Sequence, residues 1–282
     1  MVLLNGIAVR ALGQGFVMNR DTESTCFVLT LSGSDASGCA GLQADNRAIH
    51  AMGAFPLNVV TALTLQTDKG VQSIAITAPE LVRMHVVGLL NTYPVAVIKT
   101  GMLGNAATIS VLVDVLRQYP KIKLVVDPVT QATSGRPLLD EAGLKTLVSD
   151  LLPLAYLVTP NLPELKQLTE CPEPVSKGIE REAAQQLLAR GCQSVLVKGG
   201  HRDGDVATDR LYQSSGVDEY SQPFVVSRNT RGTGCALASL IAGRLARGEG
   251  LELAIEQSKP ALTESIKLQS GVDWGGNGPA FL

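Results

Sequence analysis

Residues 229–235, with the sequence Asn-Thr-Arg-Gly-Thr-Gly-Cys, are the part of the chain best suited to phosphate chemistry. The apolar residues that follow recur at offsets of three, four and eight, as on one face of a helix: Leu237, Leu240, Ile241 and Leu245. The first N–H groups of a helix lack intrahelical partners, and the helix dipole adds about half a positive charge there. Glycines also let a bulky anion approach the backbone. We therefore predict that the amides of Gly232, Thr233 and Gly234 bind an anion.

Cys235 stands at the edge of this anion site and is the candidate for proton transfer. A thiol at a helix N-terminus commonly has a pKa below its usual value of about 8.5, so we expect Cys235 to exchange a proton near neutral pH. The motif alone leaves a second interpretation open, in which the glycines serve tight packing and the cysteine is buried and inert. The stretch is not a dinucleotide-binding fingerprint, because Leu237 replaces the third glycine, and the Gly-Lys-Ser/Thr ending of a P-loop occurs nowhere in the chain.

The composition restricts the class of protein. The 282 residues are 45% hydrophobic but only 4% aromatic, which favours a buried parallel sheet covered by helices over an all-β sandwich. A formal net charge of −2 argues against nucleic acid as the main partner. No apolar run approaches the roughly 18 residues of a membrane span, so we expect no membrane association. Five scattered cysteines without C-x-x-C spacing are typical of free thiols in a cytoplasmic protein.

The hydrophobic pattern predicts strands and helices that alternate through most of the chain. We predict strands at 27–31, 57–65, 95–99, 123–127, 156–158 and 194–198, a hairpin of 210–214 with 220–226, and helices at 42–52, 79–90, 106–119, 141–152, 161–169, 179–190 and 252–268, besides the helix after Gly234. This alternation predicts one mostly parallel sheet with helices on both faces. No linker or repeat divides it, so we expect a single domain at 26–282, preceded by a loose N-terminal extension at 1–25.

Polar junctions follow six of the predicted strands, and five of these junctions contain glycine or proline. They are residues 33–41, 66–68, 99–102, 127–129, 159–161 and 198–201. Ligands of parallel sheets bind at the carboxyl ends of the strands, so six such junctions along one edge indicate a shared active site.

These junctions and residues 229–235, in this order, closely resemble the hydroxymethylpyrimidine/phosphomethylpyrimidine kinases of thiamine biosynthesis, in the ribokinase-like superfamily. The resemblance runs from about Phe27 to the end of the sequence and rests above all on Gly-Ser-Asp-Ala-Ser-Gly-Cys-Ala-Gly-Leu-Gln-Ala-Asp at 33–45, Lys-Thr-Gly-Met-Leu at 99–103 and Thr-Pro-Asn-Leu-Pro-Glu at 159–164. It implies a three-layer α/β sandwich that transfers the γ-phosphoryl group of ATP to the hydroxymethyl group of an aminopyrimidine. The same site would then phosphorylate the monophosphate.

The resemblance also implies roles for individual residues, assigned by motif position. The residues implied to bind the pyrimidine are Gly33, Asp45, Gln66, Met102 and Val129. Those implied to lie on the ATP side are Lys198, Asp209 and Arg231. Asn161 and Glu164 would hold Mg²⁺ through water, and Cys235 would be the base for the substrate hydroxyl. The Asn-x-x-Glu spacing equally fits a helix capping box, and Gln66 and Asp45 taken alone would be solvated surface residues.

Some residues depart from the family pattern. Arg231 replaces the histidine that usually precedes Gly-Thr-Gly-Cys and could add a cation beside the phosphates. Asn277 also stands where the family usually has histidine. These departures leave two alternatives open: a pyridoxal or pyridoxine kinase, since related folds with the same loop accept vitamin B6, and a paralogue that binds a pyrimidine without turnover. The sequence leaves a homodimer open as well.

Overall fold

The protein is described by a computed structural model that covers residues 25–67, 69–132, 134–172, 176–200 and 204–281. The strands in these residues are β1 (Phe27–Asp35), β2 (Phe55–Thr67), β3 (Gly70–Ile76), β4 (Val95–Thr100), β5 (Lys123–Val126), β6 (Leu157–Val158), β7 (Ser194–Val197), β8 (Val206–Gln213) and β9 (Gly216–Pro223). They form one sheet in the order β3-β2-β1-β4-β5-β6-β7-β8-β9. The six central strands, β2, β1, β4, β5, β6 and β7, run parallel to one another. The remaining strands, β3, β8 and β9, pair antiparallel with their neighbours at the two edges.

Helices cover both faces of this sheet. They are α1 (Gly41–Ala51), α2 (Pro79–Thr92), α3 (Ala106–Leu116), α4 (Glu141–Thr146), α5 (Leu162–Thr169), α6 (Lys177–Ala189), α7 (Thr233–Ala246) and α8 (Leu251–Gln269). Successive strand residues point to opposite faces, so Leu29 packs with the layer that contains α2, α3, α5 and α6, while Val28 packs with α1, α7 and α8. The three-layer α/β sandwich predicted from the sequence is confirmed.

Three elements differ from the prediction. Both strands of the hairpin begin four residues earlier than predicted, at Val206 and Gly216. The edge strand β3 was not predicted, because a bulge between Leu65 and Gln66 interrupts its pairing with β2 and most of its residues are exposed, which weakens the alternating pattern. The predicted helix at 141–152 is α4 followed by a wider π-type turn, Leu147–Leu151, and a short 3₁₀ turn, Leu152–Leu154.

Some sequence predictions fall outside the described residues. They are the extension, of which 1–24 is not described, together with Asp68 and His201 of the junctions. The domain boundary therefore stays a prediction. Within the described ranges, no helix is both long and apolar enough to cross a membrane.

Candidate active site

A cavity of about 650 Å³ lies along the carboxyl ends of the strands, and residues of five of the six predicted junctions line it. Its lining reaches from Gln66 on β2 to Asp209 on β8 and Phe224 just after β9, so it extends across most of the sheet. The N-terminus of α7 lies between these two sides and contributes Gly232, Thr233, Gly234 and Cys235 to the wall. We call this space the active-site cavity.

The turn before α7 adopts a conformation that depends on glycine. Gly232 has a φ of 78°, a left-handed value that glycine adopts without strain, and a Cβ atom there would overlap the carbonyl oxygen of Cys39. No described side chain caps α7, and the amide of Thr233 makes only a long bond of 3.4 Å to the carbonyl oxygen of Thr230, so a ligand can bind at the start of the helix. We call residues 229–235 the phosphate turn.

Cys235 lies on the cavity wall, but its thiol is not acidic. Burial raises the pKa of Cys235 to about 12; Lys99 acts against this effect, whereas the carboxylates of Asp127 and Asp45 add to it. The expected lowering of the thiol pKa is therefore wrong, because burial and two nearby carboxylates outweigh the helix N-terminus. Asp127 and the backbone amide of Gly41 both lie close enough to the thiol to influence its pKa, and the Gly41 amide acts against the increase.

A cluster of two carboxylates and one lysine faces the phosphate turn. The Nζ atom of Lys198 lies 3.0 Å from Oδ1 of Asp127 and 3.6 Å from Oε2 of Glu164. A Cβ atom on Gly234 would be 3.1 Å from this Nζ, so the ammonium lies directly beside the turn. Burial alone would raise the pKa of Asp127, but Lys198 and Lys99 lower it overall. The Asp127 carboxylate therefore stays ionised beside a cation.

Asn161 and Glu164 form the capping box that their spacing allowed. The Asn161 side chain accepts a bond from the Glu164 amide at 2.8 Å, and Oε2 of Glu164 accepts one from the Asn161 amide at 2.7 Å. Both residues also line the active-site cavity. Helix capping and metal binding are therefore compatible here.

Asp209 joins two parts of the cavity wall that are distant in sequence. Its Oδ1 accepts a 2.8 Å bond from the Gly199 amide, and its Oδ2 lies 2.6 Å from Nζ of Lys259 on α8. Lys259 lines the cavity with apolar residues of α8, Leu262 and Ile266. This end of the cavity therefore combines a cation with an apolar wall.

The comparisons with known proteins agree with this arrangement. The family model described as phosphomethylpyrimidine kinase matches residues 35–280. The hydroxymethylpyrimidine/phosphomethylpyrimidine kinase of Escherichia coli is 34% identical over 252 residues, which cover 89% of this chain and 95% of that protein. The chain belongs to the phosphomethylpyrimidine kinase family.

Two further proteins are similar to this chain. The thiamine biosynthesis bifunctional protein ThiED of Geobacter sulfurreducens is 40% identical over 252 residues, 89% of this chain, which spans 51% of that longer protein. The structure of the pyridoxal kinase from Staphylococcus aureus in complex with AMP-PCP and pyridoxal has a TM-score of 0.81 and 27% identity, covering 91% of this chain and 93% of that one. The ribokinase-like resemblance and the family predicted from the sequence are thus confirmed.

The residues expected to bind the pyrimidine separate into two groups. Gln66 and Val129 line the active-site cavity. Gly33 and Met102 lie beneath it and pack together: Met102 is 5% exposed, and a Cβ atom on Gly33 would be 3.1 Å from its sulfur. Asp45 is fully buried, and its Oδ1 accepts bonds from Lys99 at 2.7 Å and Ser239 at 2.8 Å. The cavity wall as described therefore does not include these three residues.

Arg231 does not direct its charge into the cavity. Its Nη2 lies 3.3 Å from Oδ2 of Asp35 and donates a 2.9 Å bond to Oγ of Ser37, and its side chain is 9% exposed. The expectation that Arg231 lies on the ATP side needs correction, because Asp35 attracts the guanidinium to the β1–α1 loop instead. The arginine joins two loops rather than contributing to the cavity wall.

Several residues at or near the active-site cavity were not among those predicted from the sequence. Asp127 and Lys99 belong to recognised junctions but were not chosen, and a charged residue at the carboxyl end of a buried strand was the signal that could have identified them. Lys259 gave no local signal, since it lies in an ordinary amphipathic helix.

Proposed function

We propose that this chain transfers the γ-phosphoryl group of ATP to 4-amino-5-hydroxymethyl-2-methylpyrimidine and then phosphorylates the resulting monophosphate. The observation that carries the proposal is the single cavity that holds Gln66, the phosphate turn with Lys198, and Lys259 with its apolar neighbours. An acceptor at the Gln66 side and a nucleotide at the Lys259 side would meet at the turn.

The acceptor ring binds against Gln66 and Val129. The Gln66 amide offers both a donor and an acceptor, which suits an aminopyrimidine ring that presents both. Asp45 lies outside the described cavity wall, where it accepts bonds from Lys99 and Ser239. The hydroxymethyl group then points towards Cys235 and the phosphate turn.

The phosphates of ATP bind at the other side of the turn. The amides of Gly232, Thr233 and Gly234 and the ammonium of Lys198 stabilise the negative charge on the transferred group, which is the main task of a phosphoryl-transfer enzyme. The apolar wall around Leu262 and Ile266 receives the base, and Lys259, held by Asp209, supplies a cation beside it.

Cys235 and Asp127 move the proton. The hydroxyl proton passes to the sulfur of Cys235 while the thiol proton passes to the ionised carboxylate of Asp127, which lies close enough to the thiol to influence its pKa. The acceptor oxygen forms a bond to the γ-phosphorus, the bond to the β-phosphate oxygen breaks, and ADP leaves. This relay needs no preformed thiolate, which fits a thiol whose pKa is raised to about 12.

The donor set beside the turn fits a magnesium ion bound through water. Asn161 and Glu164 supply oxygen ligands, which Mg²⁺ prefers, and both described contacts of Glu164 use Oε2. Mg²⁺ would neutralise charge on the ATP phosphates when bound. The chain itself holds these two side chains in place through the capping box.

An ADP-release assay tests the proposal on the pyrimidine, its monophosphate and pyridoxal, with Cys235→Ala alongside. We expect turnover of the first two, and a kcat for Cys235→Ala that is lower by about 10²–10⁴ with substrate binding retained. Preferred turnover of pyridoxal would instead favour the second candidate, a pyridoxal kinase, which the structural similarity to the Staphylococcus aureus enzyme motivates. Binding without ADP release would favour a non-catalytic paralogue.

A further inference from the structure

The segment after α8 is tied to the phosphate turn by one buried side chain. Asn229 is 2% exposed. Its Nδ2 donates to the carbonyl oxygens of Gln269 at 2.6 Å and Val272 at 2.9 Å, and its Oδ1 accepts a 2.8 Å bond from the amide of Gly278. One amide group thus joins the end of α8, the chain beyond it and the start of the turn.

Backbone pairing continues this connection into the turn itself. The amide of Arg231 donates to the carbonyl of Gly278 at 3.3 Å, and the amide of Ala280 donates to the carbonyl of Arg231 at 3.0 Å, which makes a parallel bridge between Arg231 and Pro279. Residues 278–281 are buried, whereas residues 270–277 before them are exposed. We call 278–281 the support segment.

The support segment is itself held on both sides. A Cβ atom on Gly278 would overlap the indole ring of Trp274, so the segment lies directly against that ring. At its other end, Nε of Arg47 donates a 3.0 Å bond to the carbonyl of Phe281. The segment therefore has a fixed position against which the turn can be aligned.

We propose that Asn229 is a positioning residue, which, through the support segment, holds the phosphate turn in the form that binds the phosphates of ATP. The inference rests on the proposed function in one respect, that the turn binds phosphate. Its physical basis is that the turn precedes an uncapped helix and contains two glycines, so its own sequence restricts its conformation little. The bonds to the support segment supply that restriction.

Two variants disturb the contacts of Asn229 and of the support segment by different means: the first breaks the bonds to Gln269 and Val272 but keeps the acceptor for the Gly278 amide, and the second acts on the support segment itself. Asn229→Asp keeps the shape but loses both N–H donors, and it places a carboxylate against the carbonyls of Gln269 and Val272. Gly278→Ala leaves Asn229 intact but forces the segment and the indole ring of Trp274 apart. Gly271→Ala is the matched control, since a Cβ atom there would have nothing within 4 Å.

The measurements are calorimetric Kd values for AMP-PCP, the KM for the pyrimidine, and the emission maximum of Trp274, the one tryptophan of the chain. All are taken well below the melting temperatures of the variants. We expect both test variants to raise the Kd for AMP-PCP at least tenfold, to change the KM for the pyrimidine less than twofold, and to shift the Trp274 emission. Gly271→Ala should match the wild type.

A variant that melts at a lower temperature yet binds AMP-PCP like the wild type would overturn the inference, because the contacts would then only stabilise the fold. If Asn229→Asp does not fold, Gly278→Ala decides alone. Failure of this inference can be told apart from failure of the proposed function. If the wild type binds AMP-PCP but phosphorylates neither pyrimidine, the proposed acceptor is wrong. Weaker AMP-PCP binding by the variants would still support the positioning role in that case.

Discussion

The Nζ atom of Lys99 lies 2.7 Å from Oδ1 of Asp45, and neither side chain is exposed to solvent. Burial alone would lower the pKa of Lys99, but Asp45, Cys235 and Asp127 raise it, so the ammonium stays charged beneath the active-site cavity. A buried ion pair is costly to break on one side, because the remaining charge has no counter-ion. This pair therefore contributes to the stability of the fold close to Cys235 and Asp127 of the active-site cavity.

Lys99→Met should destabilise the protein by about 3–5 kcal/mol at pH 8. Burial raises the pKa of Asp45 and Lys99 is the main group that opposes this, so in the variant the pKa rises further. A carboxyl group whose pKa is higher in the folded than in the unfolded state favours folding at low pH, and this contribution is lost as the pH rises. The loss of stability of the variant relative to the wild type should therefore be smaller at pH 5.5 than at pH 8. Urea unfolding at both pH values measures this; an equal deficit would contradict the charged pair.

Iodoacetamide should label Cys235 slowly at neutral pH, because the pKa of its thiol is raised to about 12. Below that pKa the thiolate fraction, and hence the rate, should rise about tenfold per pH unit from 7 to 9. Peptide mass mapping in a Cys26→Ala background measures the rate without the other partly exposed cysteine. A plateau near pH 7 would restore the acidic thiol expected from the sequence.

Gln66→Leu should raise the KM for the pyrimidine and leave the KM for ATP nearly unchanged. Loss of a hydrogen bond to a ring polar group costs about 1–3 kcal/mol, which corresponds to roughly 5- to 150-fold. Gln72→Leu, an exposed change on the neighbouring strand, is the control. Steady-state kinetics in both substrates separate the two constants, and an unchanged KM for the pyrimidine removes Gln66 from the acceptor site.

Glu164→Gln should separate metal binding from helix capping. The glutamine oxygen can still accept the bond from the Asn161 amide, so the melting temperature should not fall. The lost charge should raise the Mg²⁺ concentration for half-maximal activity about tenfold or more. Glu182→Gln, at an exposed position of α6, is the matched control. A lower melting temperature with unchanged Mg²⁺ dependence would leave Glu164 as a capping residue only.

Arg231→Met should affect stability more than nucleotide use. The change leaves Asp35, 3% exposed, without its cation, which costs about 3 kcal/mol and lowers the melting temperature by roughly 6–12 °C. Adding Asp35→Asn should recover part of the loss, since no buried charge remains unpaired. A tenfold rise in the KM for ATP with unchanged melting would support the role beside the phosphates instead.

Apart from the edge strand β3, the sequence was sufficient for the order of strands and helices, because buried parallel strands are continuous apolar runs, as in β4 and β5. It was also sufficient for the meeting of junctions at one edge, since that follows from parallel topology. The capping box of Asn161 and Glu164 is local and was identified as an alternative. These features depend on neighbours within a few residues or on a general rule of sheet architecture.

The rest depends on partners that approach from elsewhere in the chain. Arg231 contacts Asp35, 196 positions away, and no local pattern shows which way an arginine side chain turns. The pKa of Cys235 is set by burial and by Asp127 and Asp45, which the helix N-terminus alone does not reveal. Lys259 reaches the cavity only because α8 packs beside α7.

The close approach of Gly232 to the carbonyl oxygen of Cys39 has a consequence for how this protein can diverge. Residues 33–41 and the phosphate turn share one boundary with no room for a side chain. A substitution that shifts either loop must be accommodated by the other, so the effects of changes at the two loops should be strongly epistatic. Directed-evolution libraries that vary both loops together should yield acceptor variants that single-loop libraries do not reach.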